Sequence, residues 1–265
     1  MLDEERNNIF VHIDKKVENF NFLQFSNICK KSSLYFTKKR LNVKWGDFSQ
    51  VKNEIQLYET VFKKGKYKYY HLLSGVDLPL KSQNEIHYLL KDDKEYIYFK
   101  KHPSVWDYQH LSRFHMSKNI NQTISCYFSI LQNKLKIDRF SRYKLTFYKG
   151  YNWCSLTHEA VIYLLQHEFI IYRMCRYSVC ADECYKQIIL LNSSFKDKIS
   201  IESADRQKDL RKVDWINRVG DSPHIYTMTD FEKLKNSNYL FARKFDENVD
   251  FEIVEKIKNH IQNRG

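Results

Sequence analysis

An α/β fold with a largely parallel central sheet is the architecture this sequence predicts, on three observations. Between Val51 and Phe99 a helical pattern, an apolar strand, a second helical pattern and an alternating strand follow one another, the order that builds parallel sheets through crossover helices. The run Tyr69 to Leu73 stops at Ser74-Gly75, as a buried strand stops at a turn. With 265 residues, 43% of them hydrophobic, the chain can bury one substantial core.

In chain order, Ile9 to Ile13 reads as a strand carrying His12 and followed by Asp14, Lys15 and Lys16. Phe20 to Cys29 fits a helix. Leu34 to Trp45 holds strand-like residues broken by Lys38 to Arg40, and Trp45-Gly46 closes the unit. From Ser49, a fitting N-cap, Val51, Ile55, Tyr58 and Phe62 fall on one helical face. The strand Tyr69 to Leu73 follows. Ligands of open α/β sheets sit beyond the carboxyl ends of strands, which would put Ser74 and Asp77 at a crevice mouth. A plain strand-to-helix connection with Asp77 exposed fits the same spacing.

Ser82 can cap a helix running through Leu90 with Ile86, Leu89 and Leu90 inward, before the alternating strand Glu95 to Phe99. Lys100 to Asp138 reads as loop, with the polar run SKNINQT (117–123) ending any helix before Cys126. Lys144 to Tyr148 and Trp153 to Leu156 look like strands around Gly150, and His158 to His167 like a helix. Asp182-Glu183 opens the apolar helix Cys184 to Leu191, where the helix dipole favours acids. Arg211 to Trp215 reads as a strand, Asp230 to Leu234 as a short helix, Tyr239 to Ala242 as strand or loop, and Phe251 to Ile261 as an amphipathic helix. No repeat, linker or composition shift divides the chain, so a single domain over residues 1–265 is expected.

Lys+Arg 44 against Asp+Glu 32 leaves a formal charge of +12, which suits phosphates, nucleic acid or an anionic membrane surface. The excess is carried mostly by lysine, 32 of the 44. With few Gly and Pro and many Asn, Ile, Tyr and Phe, that is the signature of an AT-rich coding bias, so charge alone does not choose a partner. Six scattered cysteines are too few for a disulfide scaffold in a chain this long. Cys175, Cys180 and Cys184 lack the paired CxxC and fourth ligand of a zinc site. No apolar run approaches the roughly 20 residues of a membrane span, and MLDEERNN has no signal-peptide character. The expectation is a cytoplasmic chain whose lysines suit peripheral association with a membrane face.

GxGxxG, GxxxxGK[ST] and HExxH do not occur, nor does an Asp-x-Asp triplet that would hold a nucleotide-sugar diphosphate through a metal. A bound phosphate would have to be held by side chains. Arg243-Lys244, anchored by Leu240, Phe241 and Phe245, is the best candidate pair. Neighbours on a strand point to opposite faces, so the two meet one ligand only if the backbone turns there. A solvated charge cluster fits the same residues.

Taken together, FVHIDKK (Phe10 to Lys16), VKWGDFSQV (Val43 to Val51), YHLLSGVDLPLKS, WCSLTHEAVIYLL (Trp153 to Leu165), DECYKQIIL (Asp182 to Leu190), KVDW (Lys212 to Trp215) and LFARKFD (Leu240 to Asp246) resemble glycosyltransferase family 14 and its bacterial relatives. That family holds the core-2/I-branching β-1,6-N-acetylglucosaminyltransferases and the peptide O-xylosyltransferases. The resemblance implies a GT-A-like (Rossmann-like) fold and an inverting, metal-independent transfer of GlcNAc or xylose from a UDP-sugar to a hydroxyl of a glycan or glycoconjugate. Carried over residue by residue, Glu183 takes the place of the catalytic base, and a helix start suits an acid that must begin as a carboxylate. Arg243 and Lys244 match the basic pair that stabilises the leaving diphosphate. Asp14, with His12 beside it, falls where the family contacts the nucleoside, and Asp77 and Ser74 in its donor-side turn. Trp153 and Trp215 offer aromatic faces to sugar C–H groups or sit in the core.

Members of that family usually have another strand and helix before the FVHIDKK block, so the resemblance leads us to expect that this chain lacks that N-terminal strand and helix and is truncated relative to the family. The competing functional readings are a basic, non-catalytic module binding nucleic acid or anionic surfaces, and an inactive glycosyltransferase remnant. The resemblance favours a sugar donor over nucleic acid.

Overall fold

The computed structural model describes residues 1–115, 121–200 and 209–263; residues 117–120 of the polar run 117–123 lie outside them. The fold is mixed α/β, with its described strands in three small sheets. β1 (Asn8–Val11), α1 (Phe22–Ser26) and β2 (Ser33–Phe36) form the first unit, β1 and β2 pairing in parallel. α2 (Phe48–Phe62) leads to β3 (Tyr69–Leu72), β4 (Asp77–Pro79), α3 (Gln83–Leu89) and β5 (Tyr96–Ile97). Two helices, α4 (Val105–Ser112) and α5 (Gln122–Lys134), precede β6 (Cys154–Thr157), α6 (His158–Gln166), α7 (Glu168–Cys175) and α8 (Tyr185–Leu191). The chain closes with β7 (Arg211–Val213), α9 (Phe231–Lys235), β8 (Phe241–Arg243) and α10 (Phe251–Gln262).

The expected largely parallel central sheet is not what these ladders form. β6 lies between β3 and β5 and is antiparallel to both, while β8 lies between β4, antiparallel, and β7, parallel. β3 and β5 therefore run in the same direction, as the strand–helix–strand alternation requires, but β6 arrives from some sixty residues later in the chain and separates them. All four residues of β6 are buried, so it gains more between two strands than at an edge. Local alternation sets strand direction and leaves the choice of neighbour to long-range pairing.

Several local expectations also shift. α2 is capped by Asp47, whose side chain accepts from the Ser49 N–H at 2.8 Å, rather than by Ser49. Ser82 does cap α3, in a reciprocal capping box with Glu85. Ile86 and Leu90 point inward while Leu89 is exposed. The segment read as loop from Lys100 carries α4 because Ser104 and Asp107 form a second capping box, a Ser-x-x-Asp signal present in the sequence. α5 is held by Gln132, which bonds both the N–H and the carbonyl of Phe114 at 2.8 and 3.0 Å. No strand forms over Lys144 to Tyr148; Lys144 ends a short 3-10 turn in the left-handed region at φ 53°.

Two larger cores and a smaller one result. Val51, Ile55 and Tyr58 of α2 pack with Leu156, Val161, Leu164, Ile171 and Ile188, and each fully buried aliphatic side chain contributes about 1.5–3 kcal/mol. Ile253, Val254 and Ile257 of α10 close a second core over Leu234, Ala242 and Phe245. The third joins Ile86 and Leu90 to Tyr96, Leu240 and Phe241. Arg211 ties the two three-stranded sheets together. Almost wholly buried, it donates to the Ser155 hydroxyl at 3.0 Å and the Cys154 carbonyl at 2.6 Å, and to the Asp209 carbonyl, with its charge over the Phe241 ring. Among the described residues no helix is long and apolar enough to cross a membrane.

Candidate active site

Glu183 ends a 3-10 turn, Ala181–Glu183, which runs into α8. The expected helix start is thus a tighter turn just before the α-helix. Its side chain keeps 36% exposure and meets Lys149 Nζ at 2.8 Å. Lys149 was not legible as a site residue. It is almost fully buried and also lies 3.6 Å from Asp107, the acid of the α4 capping box. Burial favours a neutral amine, yet the Glu183 and Asp107 carboxylates hold Lys149 protonated above the ordinary lysine range. Asp107 shows the same balance: against burial, bonds from the Ser104 amide and from Lys100 keep it at about 2.

The next residue fixes the backbone. Gly150 donates its N–H to the Glu183 carbonyl at 2.8 Å, and a Cβ added to it would stand 1.8 Å from the Tyr98 carbonyl oxygen and 2.9 Å from Gln187 Nε2. Only glycine lets these backbones approach so closely. Gly150→Ala is therefore expected to cost at least the roughly 1–3 kcal/mol of an overpacked core, read as a lower urea midpoint. A wild-type midpoint would show that the approach can relax.

Asp182, beside Glu183, points inward. Burial, reinforced by the Glu54 and Glu183 carboxylates, raises it to about 7. Glu54 is occupied by the fully buried Lys186 at 2.5 Å and the Tyr185 hydroxyl at 2.8 Å. Lys186 also reaches Asn152 Oδ1 and the Asp182 carbonyl. This buried group anchors the turn that presents Glu183 outward.

The second cluster gathers four of the candidate residues from three separate stretches of the chain. Arg243 lies directly across from Asp77 in the β4–β8 register and bonds its carboxylate at 2.8 Å and the Ser74 hydroxyl at 2.5 Å. The Ser74 N–H caps the other Asp77 oxygen at 2.8 Å. Arg243 also lies 4.0 Å from the centre of the Trp153 ring, a cation–π contact. Burial pushes the Asp77 carboxyl up and the Arg243 guanidinium down, and each charge opposes the other's shift. Ser74 and Asp77 hold Arg243.

Lys244 reaches a different partner, the Ser222 hydroxyl at 3.2 Å, while its carbonyl accepts from the Tyr226 N–H. Trp215 follows β7 on a turn organised by Asp214, which accepts from the Ile216 and Asn217 amides. Tyr151, unremarked in the sequence, lies between the two tryptophans, with ring centres 5.9 Å from Trp153 and 6.1 Å from Trp215, and stacks on Tyr98 at 4.5 Å. Both tryptophans are half-buried.

His12 and Asp14 belong to a third cluster. His12 Nε2 accepts from the Leu41 N–H at 2.9 Å, and burial lowers its affinity for a proton. Asp14 accepts from the Lys16 and Val43 amides, and Arg40 donates to the Asp14 carbonyl. Although burial raises the Asp14 carboxyl, these amide bonds and Lys16 bring it below its ordinary range. The two residues thus pin the end of β1 to the segment after β2. Their described partners are separate from those of Arg243 and Glu183.

Cys175 and Cys184 are buried and their thiols are pushed up by burial, while Cys180 is half-buried. Among the described residues no group of three or more His, Cys, Asp and Glu side chains is placed to hold a metal ion.

The sequence model of the Core-2/I-Branching enzyme family matches residues 1–237. A curated relative is the Beta-glucuronosyltransferase GlcAT14A of Arabidopsis thaliana, 34% identical over 83 residues. Those residues make up 31% of this chain and 17% of the plant protein, so the likeness spans a small part of that relative.

Proposed function

The chain belongs to the Core-2/I-Branching enzyme family, and from that premise we propose that it is a glycosyltransferase of GT-A-like fold that inverts the donor's anomeric centre without a metal ion. The observation that carries the reading is the short segment Lys149 to Trp153. Its first residue grips Glu183 and its last lies under Arg243. Four residue steps keep the two ends of this backbone within about 14 Å of each other, so one short stretch of chain contacts both the acid and the cation.

In this reading Glu183 removes the proton of an acceptor hydroxyl as that oxygen attacks the anomeric carbon from the face opposite the leaving group. The C–O bond to the nucleoside diphosphate breaks, and its electron pair stays on the phosphate oxygen. Arg243 and Lys244 offset that charge, a role in which preorganised cations act more strongly than water does. Trp153 and Trp215, with Tyr151 between them, line the donor side. His12 and Asp14 serve the nucleoside by fixing the backbone between β1 and α2. The donor is a UDP-sugar. UDP-GlcNAc and UDP-xylose follow from the resemblance, and UDP-glucuronic acid from the plant relative. The acceptor is a hydroxyl of a glycan or glycoconjugate, and the +12 charge suits one carried at an anionic membrane face.

The test is calorimetric titration with UDP, followed by turnover of those three donors with and without EDTA. UDP should bind, one donor should be consumed, and EDTA should leave its rate unchanged. Loss of turnover in EDTA would contradict the role given to Arg243 and Lys244. No binding of UDP, with steeply salt-dependent DNA binding instead, would contradict the enzyme reading.

A further inference from the structure

We propose that Lys149 is the positioning residue of the base: it holds one carboxylate oxygen of Glu183 so that the other faces the acceptor hydroxyl, with Asp107 as its second anchor. The inference rests on Glu183 being the base. Lys149 touches Glu183 through Oε2, at 2.8 Å, which leaves Oε1 to take the proton. A second carboxylate, Asp107 Oδ1, lies 3.6 Å from the same ammonium as an ion-pair partner.

The arrangement accounts for a full cycle. Before reaction the buried ammonium lies between two carboxylates. When Glu183 takes the acceptor proton its negative charge disappears, and a lysine without a second anchor would be left buried with no counter-charge, a costly state. Asp107 removes that cost. It is fixed by the α4 cap and by Lys100 at 3.1 Å, so it does not follow Lys149 when Glu183 changes state. Gly150, next in sequence, locks the Lys149 backbone to the Glu183 carbonyl, so the lysine cannot drift from the carboxylate it orients.

The neighbours are consistent with this division. Glu183 is flanked by Asp182 and Cys184 in its own turn and lies within electrostatic reach of Tyr151. His110 of α4 is within reach of Lys149 and held neutral, chiefly by burial and also by the Lys149 charge. Among these groups Lys149 is the one cation bonded to Glu183.

The experiment compares Lys149→Met, Lys149→Arg, Asp107→Asn and Glu183→Gln as the full chain, measuring kcat, donor KM, UDP Kd and the thermal midpoint. Lys149→Met is expected to lower kcat by about 10²-fold, as a misplaced reacting group does, while UDP Kd stays within twofold. Lys149→Arg should recover most of that loss, and Asp107→Asn should lower kcat with UDP Kd unchanged. Wild-type kcat in Lys149→Met, or a loss in Lys149→Arg as large as in Lys149→Met, overturns the proposal. If Lys149→Met does not fold, Lys149→Arg and Asp107→Asn decide it: wild-type kcat in Asp107→Asn, or a UDP Kd that rises in proportion as kcat falls, overturns it. A fully active Glu183→Gln would instead remove the premise, a different result from an inactive Glu183→Gln beside a wild-type Lys149→Met.

Discussion

Glu183→Gln should abolish sugar transfer and leave UDP binding intact. A positioned general base is worth about 10²–10⁴ in rate, and the amide cannot accept the proton. The substitution keeps the side-chain volume and does not touch the Gly150 N–H bond to the Glu183 carbonyl. It does remove the ionic partner of Lys149, which retains Asp107 at 3.6 Å, so the fold has a second counter-charge to rely on. UDP binding survives because the cations assigned to the diphosphate bond other groups: Arg243 to Asp77 and Ser74, Lys244 to Ser222. Transfer rate and calorimetric UDP affinity, measured on the same preparation, check both halves. Full activity would end the assignment of the base.

Arg243→Ala should cost about 2.7–4 kcal/mol of transition-state stabilisation, or 10²–10³ in kcat, by analogy with removing one oxyanion donor, and should weaken UDP. The side chain is 18% exposed and its partner carboxylate 3%. Alanine therefore also strands Asp77, which burial already pushes toward protonation. Asp77→Asn separates the two effects. It removes the buried acid while sparing the cation, so its loss of rate should be the smaller. An Asp77→Asn loss equal to that of Arg243→Ala would assign the effect to the β4–β8 pair rather than to the cation. Lysine is no conservative replacement here, because the planar guanidinium lies over Trp153 at 4.0 Å and a compact ammonium does not reproduce that contact.

The residues of the two contact clusters stand out in the sequence more clearly than their contacts do. Glu183, Arg243, Lys244, Ser74, Asp77 and Trp153 were all singled out, and four of these meet at Arg243. Their relation to one another was not legible. Ser74 and Asp77 read from the sequence as donor-side residues at a strand end, and what the fold adds is that both bond Arg243. Lys149 was missed because a lysine in a chain with 44 basic residues carries no signal until burial marks it. Gly150 was noticed as a break between strands; what singles it out is the closeness of Tyr98 and Gln187, a distance across about fifty residues of chain on one side and nearly forty on the other. α4 could have been read from Ser104 and Asp107.

By itself, the sequence determined the cap at Ser82 and the apolar faces of α2 and α10, because these depend on spacings of three or four residues. It also carried the family blocks, since these are runs of neighbouring residues. Tertiary structure alone decided that β6 enters between β3 and β5, that Arg243 faces Asp77 across a ladder, and that a buried lysine grips the outward acid of the Asp182-Glu183 pair. Each of these joins residues tens to more than a hundred and fifty positions apart. Chain spacing has no bearing on them, and the burial of β6, Arg211 and Lys149 sets which partners they can reach.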